Sequence, residues 1–548
     1  MSTPVTASTD AVTARSSGWF ALVMLVVSLN VAAVVAFIGR LDDPPRPFND
    51  PAVCNLTVFF SCCGAAFSAW FWFCFRSRFS RRLRLGVAGV TSLIVVAAVS
   101  TTVAMFAQGA LVFSGSLVPR LAAREHEAAL VVTTPPMEQN KLGITTAEDF
   151  PQFLGPDRNA WIRGPKLARD WDANPPRLLW KQPIGAGWSA FSAVNGFAVT
   201  LEQRGSEEWI ACYEVETGKP VWGQSIPSRH ETALGGIGPR STPTIADGHV
   251  YSLGANGVLQ CLSGDGQLLW SDDLRKRYSI SASEDEQNVM FGRPASPLIV
   301  DSLVVVPGGG HPGKGKNLIA FDRATGLLVW ECENTLPSGE ADQIAYASPS
   351  LATLAGRRQI LIVNETTCTA HDPATGERLW SHPWPGKSNG SASASQAVAI
   401  GDKQVLLTKG YGGGAELLEL SSGNGSELTV TSVWKNPRVL QTKFSNVVVH
   451  DGHAFGLSEG ILECVDLEDG SRRWKKGRFG HGQILGVGDL LLVLSEDGDL
   501  HLVALNHDKF VELGKAGALS GKTWNNLCLY GHKLLVRNAA EAACFELP

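Results

Sequence analysis

The chain changes its pattern of apolar and polar residues once, near residue 114. Before that point, three long stretches carry no charged residue: 18–39, 52–75 and 85–113. After it, the apolar runs are short, several alternate with polar residues, and Gly- or Asp-rich turns separate them. Uncharged stretches of about 20 residues predict membrane-spanning helices, whereas short alternating runs predict β-strands. The pattern therefore predicts an α-helical transmembrane region of three spans followed by an all-β domain.

A tryptophan recurs at the end of a short apolar run throughout the β part. Segments Ala320–Trp330 and Ala370–Trp380 share an Asp, a Thr-Gly pair and a Trp, with four residues from the Gly to the Trp. The series has seven members at intervals of 40 to 60 residues: Trp180, Trp222, Trp270, Trp330, Trp380, Trp434 and Trp474. A repeat of this length is typical of one four-stranded propeller blade, and an indole ring can pack between neighbouring blades.

The number of repeated units predicts an eight-bladed β-propeller. Six units end near a tryptophan, and a seventh ends near Leu513 without one. The chain finishes with Ala543–Leu547, which resembles a third strand without a fourth, whereas Leu178–Lys181 resembles a fourth strand without the other three. We expect these segments to pair and close the ring, which removes open sheet edges. The predicted organisation is a membrane region over 1–113, a linker over 114–149 and a propeller over 150–548.

Charge and cysteine placement narrow the possible partners. Residues 1–120 carry nine Arg and four acidic residues, and the remainder carries 38 Lys and Arg against 48 Asp and Glu. An acidic β domain is a poor partner for nucleic acid, because phosphate contacts need Lys and Arg. No zinc-type spacing of His or Cys is present, so we expect no metal site. Five cysteines before the repeat turns are predicted to be buried thiols: Cys212, Cys261, Cys368, Cys464 and Cys544.

The arginines of the membrane region predict its topology. Five of them lie within the loop 76–84, between the second and third predicted spans. Loops rich in Arg and Lys remain on the cytoplasmic side of a membrane. We therefore expect a cytoplasmic N-terminus and a multi-pass protein of the inner membrane whose propeller is periplasmic.

The repeat carries a family resemblance. The pattern Ala-x-Asp-x-x-Thr-Gly-x-x-x-Trp resembles the tryptophan-docking repeat of quinoprotein (PQQ) dehydrogenases and of BamB-like propellers. Segments Phe150–Arg158, Gly236–Pro243 and Gly254–Gly257 resemble parts of bacterial PQQ-like repeat proteins. The resemblance covers about residues 150–548 and implies a propeller of the quinoprotein dehydrogenase type. It implies no particular reaction, because one fold serves many functions.

The same resemblance raises the alternative of a quinone-dependent dehydrogenase. Family enzymes of the alcohol type are expected to hold the quinone between a Trp and a vicinal disulfide, beside a calcium ion and a basic Asp. The adjacent cysteines here, Cys62 and Cys63, lie inside a predicted span. Glu340 and Asp342 can bind a cation, although a solvated loop also explains them. We expect no catalytic residue and no cofactor, and PQQ with calcium enters only under this alternative.

A glycine-rich segment, Gly308–Gly315, nearly matches a phosphate-binding loop. Its last position is Gly315, so the hydroxyl group that would hold Mg²⁺ is missing. A strand is expected next, and a strand offers no helix N-terminus to a phosphate. We therefore expect a hairpin loop and no nucleotide.

One candidate binding site remains, at the mouth of the predicted channel. A small hydroxyl residue before Pro recurs in Arg240–Pro243, Arg293–Pro297 and Tyr346–Pro349, and it suits the start of an inner strand. Two Arg, a His and two aromatic residues are expected at one end of the axis: Arg240, Arg293, Tyr346, His481 and Trp524. They can bind an anionic or sugar-like ligand by forked hydrogen bonds and stacking, or they can pack against neighbouring blades.

These patterns predict a membrane-anchored periplasmic propeller that acts as a binding or protein-interaction scaffold in the cell envelope. The resemblance to BamB-like propellers implies an envelope protein as partner. A quinone-dependent oxidoreductase and a carbohydrate or anionic-ligand sensor are the alternatives.

Overall fold

The computed structural model describes residues 23–35, 51–76, 79–107, 111–113, 119–121, 141–232, 234–309, 311, 313–335, 342, 346–385, 393–422 and 428–548. The chain divides into two compact units, one with residues 1–123 and 233–236 and one with the rest. Helices dominate the described part of the first unit, and β-sheets dominate the second.

The first unit contains the apolar helices α1 (Val23–Val35), α2 (Pro51–Arg76) and α3 (Arg81–Ala107). Two stretches are long and apolar enough to cross a membrane, Thr57–Cys74 in α2 and Arg81–Met105 in α3. Helix α1 is shorter than such a stretch, and the rest of the predicted first span lies outside the described residues. The described residues therefore contain two helices of spanning length, not three.

Helices α2 and α3 form a hairpin. The indole of Trp70 donates to Thr91 Oγ1 at 2.8 Å, and the guanidinium of Arg84 donates to the carbonyl of Cys74 at 3.2 Å. The predicted end of the third span at residue 113 is wrong, because α3 ends at Ala107 and Leu111–Phe113 pairs with Pro119–Leu121. An uncharged sequence gives only the greatest possible length of a helix. Here the next described residues, Leu111–Phe113, are paired as a strand.

The described part of the second unit forms eight blades of four antiparallel strands, which follow one another in sequence except in blade 8. The sheet of blade 7 has a fifth, parallel strand, Trp161–Ile162. Blades 1 to 4 comprise Ser192–Val194, Phe197–Arg204, Glu207–Glu214 and Pro220–Ile226; Thr244–Ala246, His249–Leu253, Val258–Ser263 and Leu268–Asp273; Leu298–Val300, Leu303–Pro307, Lys316–Asp322 and Leu328–Glu333; Ser350–Leu354, Arg357–Val363, Thr367–His371 and Arg378–Pro383. Blades 5 to 8 comprise Val398–Ile400, Gln404–Lys409, Gly414–Ser422 and Leu428–Asn436; Val448–His450, His453–Ser458, Ile461–Asp466 and Arg472–Arg478; Gln483–Val487, Leu490–Leu494, Asp499–Ala504 and Glu512–Gly517; Cys528–Tyr530, Lys533–Arg537, Glu541–Glu546 and Arg177–Pro183.

We call the first strand of a blade its inner strand and the fourth its outer strand. Small elements lie outside the blade strands. A 3-10 turn, Lys141–Gly143, and a short strand, Trp161–Ile162, precede the blades. The short helices α4 (Leu274–Arg277) and α5 (Ala282–Asn288) and the short strands Glu231–Thr232 and Gly236–Ile237 lie between successive blades. The strand Lys316–Asp322 follows the Gly-rich segment directly, as expected for a hairpin and not for a phosphate-binding loop.

The ring closes as the sequence predicts. The inner strand of blade 8 packs beside that of blade 1, which completes the circle around the axis. Arg177–Pro183 pairs antiparallel with Glu541–Glu546 and places Trp180 opposite Cys544. The two ends of the propeller sequence therefore build one blade, and the prediction of an eight-bladed propeller is confirmed.

Neighbouring blades are joined by the repeated tryptophans. In six interfaces the indole N–H donates to a main-chain carbonyl in the turn of the next blade, at 2.8 to 3.1 Å: Trp180 to Val215, Trp222 to Gly264, Trp270 to Arg323, Trp330 to Pro373, Trp434 to Leu467 and Trp474 to Asn506. In five of them the ring lies against the glycine of that turn: Gly218, Gly266, Gly326, Gly376 and Gly470. Each such repeat therefore supplies a glycine that contacts the tryptophan of the preceding blade.

Two blades depart from this rule. Trp380 donates to Gln359 Oε1 of its own blade at 2.6 Å, and the sequence of blade 5 has no Thr-Gly pair before its outer strand. Blade 7 has Gly514 where other blades carry the tryptophan, and the buried Trp171 packs directly on Gly514. Trp171 precedes the repeats, so a ring from outside the repeat pattern fills the vacant position.

The predicted cysteines are buried free thiols, which confirms their expected role. Four of them pair with the tryptophan of the neighbouring outer strand: Cys212 with Trp222, Cys261 with Trp270, Cys464 with Trp474 and Cys544 with Trp180. A small apolar side chain at this point leaves room for the indole.

A first prediction concerns the glycine below the indole. We expect Gly326→Ala to destabilise the propeller by about 3 kcal/mol, since a Cβ there would lie 2.6 Å from Trp270 Cδ2 in backbone with φ of +72°. Gly356→Ala is the matched control, because its φ is +75° and its Cβ would meet no atom within 4 Å. Its loss should be about 1 kcal/mol. Thermal unfolding followed by circular dichroism compares the two variants. Equal losses of stability would show that the contact with the indole adds nothing to the cost of the backbone conformation.

A second prediction concerns the fully buried His371 of blade 4. Its Nδ1 lies 3.0 Å from the carbonyl of Gly376, and its Nε2 lies 3.2 Å from the amide of Asn317. The neutral ring satisfies both contacts, with Nδ1 donating and Nε2 accepting. Protonation would set a second N–H against the amide, and burial lowers the pKa of His371 to about 4.

The unfolded chain binds this proton near pH 6.5 and the folded chain only near pH 4, so stability falls as the pH falls between these values, by up to about 3 kcal/mol. We expect His371→Leu to reduce this pH dependence in urea unfolding at pH 7 and pH 5, whereas His249→Leu on the surface should preserve it. Parallel pH profiles for the wild type and His371→Leu would contradict the assignment.

Candidate functional site

A segment that precedes the repeats crosses the propeller axis. Phe150 bridges to Ala193 of blade 1, and Ile245 of blade 2 donates to the carbonyl of Pro151. Trp161–Ile162 then pairs in parallel with the inner strand of blade 7. Blades 2 and 7 lie on different sides of the ring, so the segment 150–162 closes the central channel at one end.

Arg158 anchors this crossing. Its guanidinium donates to the carbonyls of Ser296 and Pro297 at 3.0 Å, and its own carbonyl accepts from Gln396 of blade 5. The side chain is buried, and burial lowers its pKa to about 9. The segment that resembles the opening of PQQ-like proteins is therefore held across the axis by contacts with several blades.

Hydrogen bonds between inner strands explain the recurring hydroxyl residues before Pro. The backbone N–H of Thr242 donates to Ser296 Oγ at 2.9 Å, and that of Ser296 donates to Ser348 Oγ at 3.0 Å. The N–H of Ala190 donates to Thr242 Oγ1 in the same way. Each hydroxyl therefore joins its blade to the preceding one, and the residues two or more positions earlier form the channel mouth.

Five mouth residues lie four positions before an inner strand: Trp188, Arg240, Tyr346, Phe444 and Trp524. The structure divides the mouth into an aromatic side on blades 1, 6, 7 and 8 and a cationic side on blades 2 to 4. His481 and Trp524 belong to the first side, whereas Arg240, Arg293 and Tyr346 belong to the second.

The aromatic side is built around Trp524. Its ring centroid lies 4.8 Å from that of Trp188 and 5.0 Å from that of Phe444, and the ammonium of Lys522 lies 4.6 Å from it. Glu496 accepts from Trp524 Nε1 at 2.9 Å and from the backbone N–H of His481 at 3.0 Å.

The electrostatics of this side follow from Glu496. Burial alone would raise the pKa of Glu496, but His481, Lys522 and these hydrogen bonds hold it below its usual value. The result is a cluster of tilted aromatic rings that contacts an ionised carboxylate.

The cationic side contains a buried ion pair. Arg293 donates to both oxygens of Asp285 in α5, at 2.7 and 2.6 Å, and His311 Nε2 lies 3.2 Å from the same carboxylate. Burial alone would raise the pKa of Asp285, but hydrogen bonds from His311 and Arg293 lower it to about 2. Arg293 is thus engaged within the protein, which agrees with the packing alternative for that residue.

Arg240 lies at the inner edge of the same side. It donates to the carbonyl of Gly238 at 3.2 Å and interacts electrostatically with Tyr346. Burial lowers the pKa of Arg240 to about 10. Burial first, and then Arg240, lowers the pKa of the nearby His230 to about 4, so this imidazole is neutral at pH 7.

Three residues of the mouth were missed from the sequence, namely Trp188, Phe444 and Glu496. Trp188 and Phe444 occupy the same position relative to their inner strands as Trp524, so alignment of the strand starts would have found both. Glu496 lies in a turn of blade 7 outside the inner strands, and only the fold brings it to Trp524.

The quinone and calcium ion of the dehydrogenase alternative do not fit the described mouth. Its carboxylates Asp285 and Glu496 are already engaged, by Arg293 and by Trp524 and Lys522. Asp342 accepts hydrogen bonds from Thr366 and Thr367, and Glu340 lies outside the described residues. Cys62 and Cys63 lie in α2 of the other unit. Within the described residues, no three His, Cys, Asp or Glu side chains converge on a metal position.

The fold and the indole docking define an eight-bladed propeller of PQQ-like repeats. A family model described as outer membrane protein assembly factor BamB matches residues 169–343 and 206–476, which together span more than half of the chain. The chain belongs to this family. The two matches overlap because the repeats resemble one another.

Solved structures match the chain at low sequence identity. BamB from Moraxella catarrhalis has 15% identity and a TM-score of 0.48, covering 68% of this chain and 100% of its own. A europium-containing methanol dehydrogenase has 11% identity and a TM-score of 0.43, covering 73% and 98%. A quinohemoprotein alcohol dehydrogenase from Pseudomonas putida has 14% identity and a TM-score of 0.44, covering 73% and 80%. No curated protein sequence matches the chain significantly.

Proposed function

We propose that this protein is a membrane-anchored propeller that acts as a protein-interaction scaffold in the cell envelope. Under this proposal α2 and α3 cross the inner membrane, together with the predicted first span over 18–39. The Arg-rich loop 76–84 stays in the cytoplasm and the propeller is periplasmic. The family match supports an envelope role by analogy.

The observation that carries the scaffold proposal is an apolar rim on blades 2 and 3. Five exposed apolar side chains lie in or beside their outer strands, with exposed fractions of 39 to 69%: Leu268, Leu269, Leu327, Leu328 and Val329. The groups adjoin, because Trp270 between them lies against Gly326 of the next turn. Contiguous exposed apolar surface marks sites of protein association. An envelope protein that covers this rim is the partner we propose.

The test replaces the rim in the full-length protein. We expect Leu269→Ser combined with Leu327→Ser and Val329→Ser to lower partner recovery roughly tenfold, since apolar anchors dominate such interfaces. The control combines Ile144→Ser, Leu178→Ser and Val433→Ser, whose exposed fractions are 52, 49 and 43% at scattered positions. Crosslinking in envelope membranes with quantitative mass spectrometry gives the readout. Equal recovery of every partner by both variants would refute the proposal that a partner binds the apolar rim.

A ligand at the channel mouth is the second candidate function. Buried polar atoms near the mouth have no protein partner within the described residues: the side-chain oxygens of Ser241, Ser393, Gln396, Gln483 and Asn525. The mouth also contains the adjacent, tilted rings of Trp188 and Trp524 and the guanidinium of Arg240. Aromatic rings on which a sugar can stack, and a guanidinium that can donate two parallel hydrogen bonds to a carboxylate, suit a sugar bearing an anionic group. This candidate retains Arg240, Arg293, Tyr346, His481 and Trp524 as its residues.

Oligosaccharides of uronic acid provide a probe, followed by tryptophan fluorescence of the full-length protein. We expect saturable quenching that Arg240→Ala weakens roughly tenfold, since a charge-assisted hydrogen bond is lost. Arg163→Ala on the surface is the control for charge. Unfolding temperatures of both variants separate binding from stability. Absence of saturable quenching at millimolar probe, or equal weakening by both variants, would argue against a sugar-acid site.

A further inference from the structure

The outer strand of blade 6 is far more basic than any other outer strand. Arg472–Arg478 (RRWKKGR) contains five cations and no carboxylate. The outer strands of blades 2 and 3 carry two acidic residues each, and that of blade 8 carries two cations. This concentration of charge stands out because the chain after residue 120 has an excess of ten acidic residues.

Neighbouring carboxylates do not neutralise the whole strand. Arg472 donates to Glu463 at 2.9 Å, whereas Arg473, Lys476 and Arg478 are exposed and form no ion pair with the described residues. The acidic turn at 466–469 lies beyond the Arg472 end, so the positive field is strongest toward Arg478. By contrast, both cations of the outer strand of blade 8, Arg177 and Lys181, are paired with acids.

Protection of an open sheet edge does not require this many cations. A single Lys or a bulge is enough to discourage pairing with another strand. The pairing of Ile461–Asp466 with Arg472–Arg478 already shifts register twice, between Ile461 and Glu463 and between Cys464 and Val465. A strand bent in this way presents side chains in place of a regular main-chain ladder. It therefore suits a charged surface better than an added peptide strand.

We infer that this basic rim, defined by Arg473, Lys476 and Arg478, binds the anionic headgroups of a lipid bilayer. The inference rests on the membrane anchoring proposed above, because two helices of spanning length keep the propeller close to a bilayer. The acidic remainder of the propeller is repelled from such a surface. Contact through blade 6 therefore holds the disc on its edge and leaves the channel mouth and the apolar rim of blades 2 and 3 accessible.

The test compares the full-length protein in nanodiscs of phosphatidylcholine with nanodiscs that also contain phosphatidylglycerol. Hydrogen exchange of a peptide covering 472–478 is the readout. Each Lys or Arg near an anionic bilayer raises the contact equilibrium roughly fivefold. We expect at least about fivefold slower exchange in the anionic discs. The protection should disappear in 1 M salt, where screening acts within about 3 Å.

The matched variants reverse three charges each. Arg473→Glu with Lys476→Glu and Arg478→Glu should abolish the lipid dependence. Lys166→Glu with Lys219→Glu and Lys403→Glu, at exposed positions elsewhere, should preserve it. Equal exchange in the two lipids, or protection that survives in the first variant, would overturn the inference. Protection by added polyglutamate but not by anionic lipid would overturn it in favour of an acidic protein partner.

Failure of the anchoring proposal gives a different result. The chain would then not be retained in nanodiscs of phosphatidylcholine alone. Sedimentation of the same chain with vesicles of phosphatidylcholine and phosphatidylglycerol would in that case test lipid binding by the basic rim independently of anchoring. Binding that is lost in the first triple variant supports the inference, and absence of binding overturns it.

Discussion

The propeller depends on indole rings that leave one blade and pack on the turn of the next. Six of the repeated tryptophans satisfy their single N–H on a carbonyl of that turn, while the apolar ring is buried or half-buried against it. No blade buries both of its faces alone, so the stability of the ring is a sum of such contacts between neighbours. Pairing of Arg177–Pro183 with Glu541–Glu546 adds the last contact and removes the open ends.

The segment that precedes the repeats compensates where the repeat is incomplete. It supplies Trp171 beside Gly514 in blade 7, and it carries Arg158 across the axis to blade 3. Propeller packing already begins at Leu142, which is buried against blade 1. The chain that leads from the helical unit is therefore part of the propeller core, and the predicted linker over 114–149 overlaps the start of that core.

The surface is less uniform than the repeated fold. The mouth joins a cluster of aromatic rings to a cationic side whose ion pair, Arg293 with Asp285, is internal. Apolar side chains are exposed on blades 2 and 3, and cations are concentrated on blade 6. These three regions come from residues that the blade contacts leave free to vary, because indole docking needs only a Gly, a Trp and a small residue opposite. A constant frame can thus present different binding surfaces.

The sequence by itself determined the blade count, the closure of the ring and the burial of the cysteines, because each follows from a pattern that repeats along the chain, such as the four-residue step from Gly326 to Trp330. It also located Arg240, Tyr346 and Trp524 near strand starts. Only the tertiary structure decided that Phe150–Ile162 crosses the axis, that Arg293 pairs with Asp285, that Glu496 contacts Trp524 and that α3 ends at Ala107. Each of these features involves residues outside the repeated pattern, in the segments before or between the blades or in the helical unit, so the repeat spacing carries no record of it.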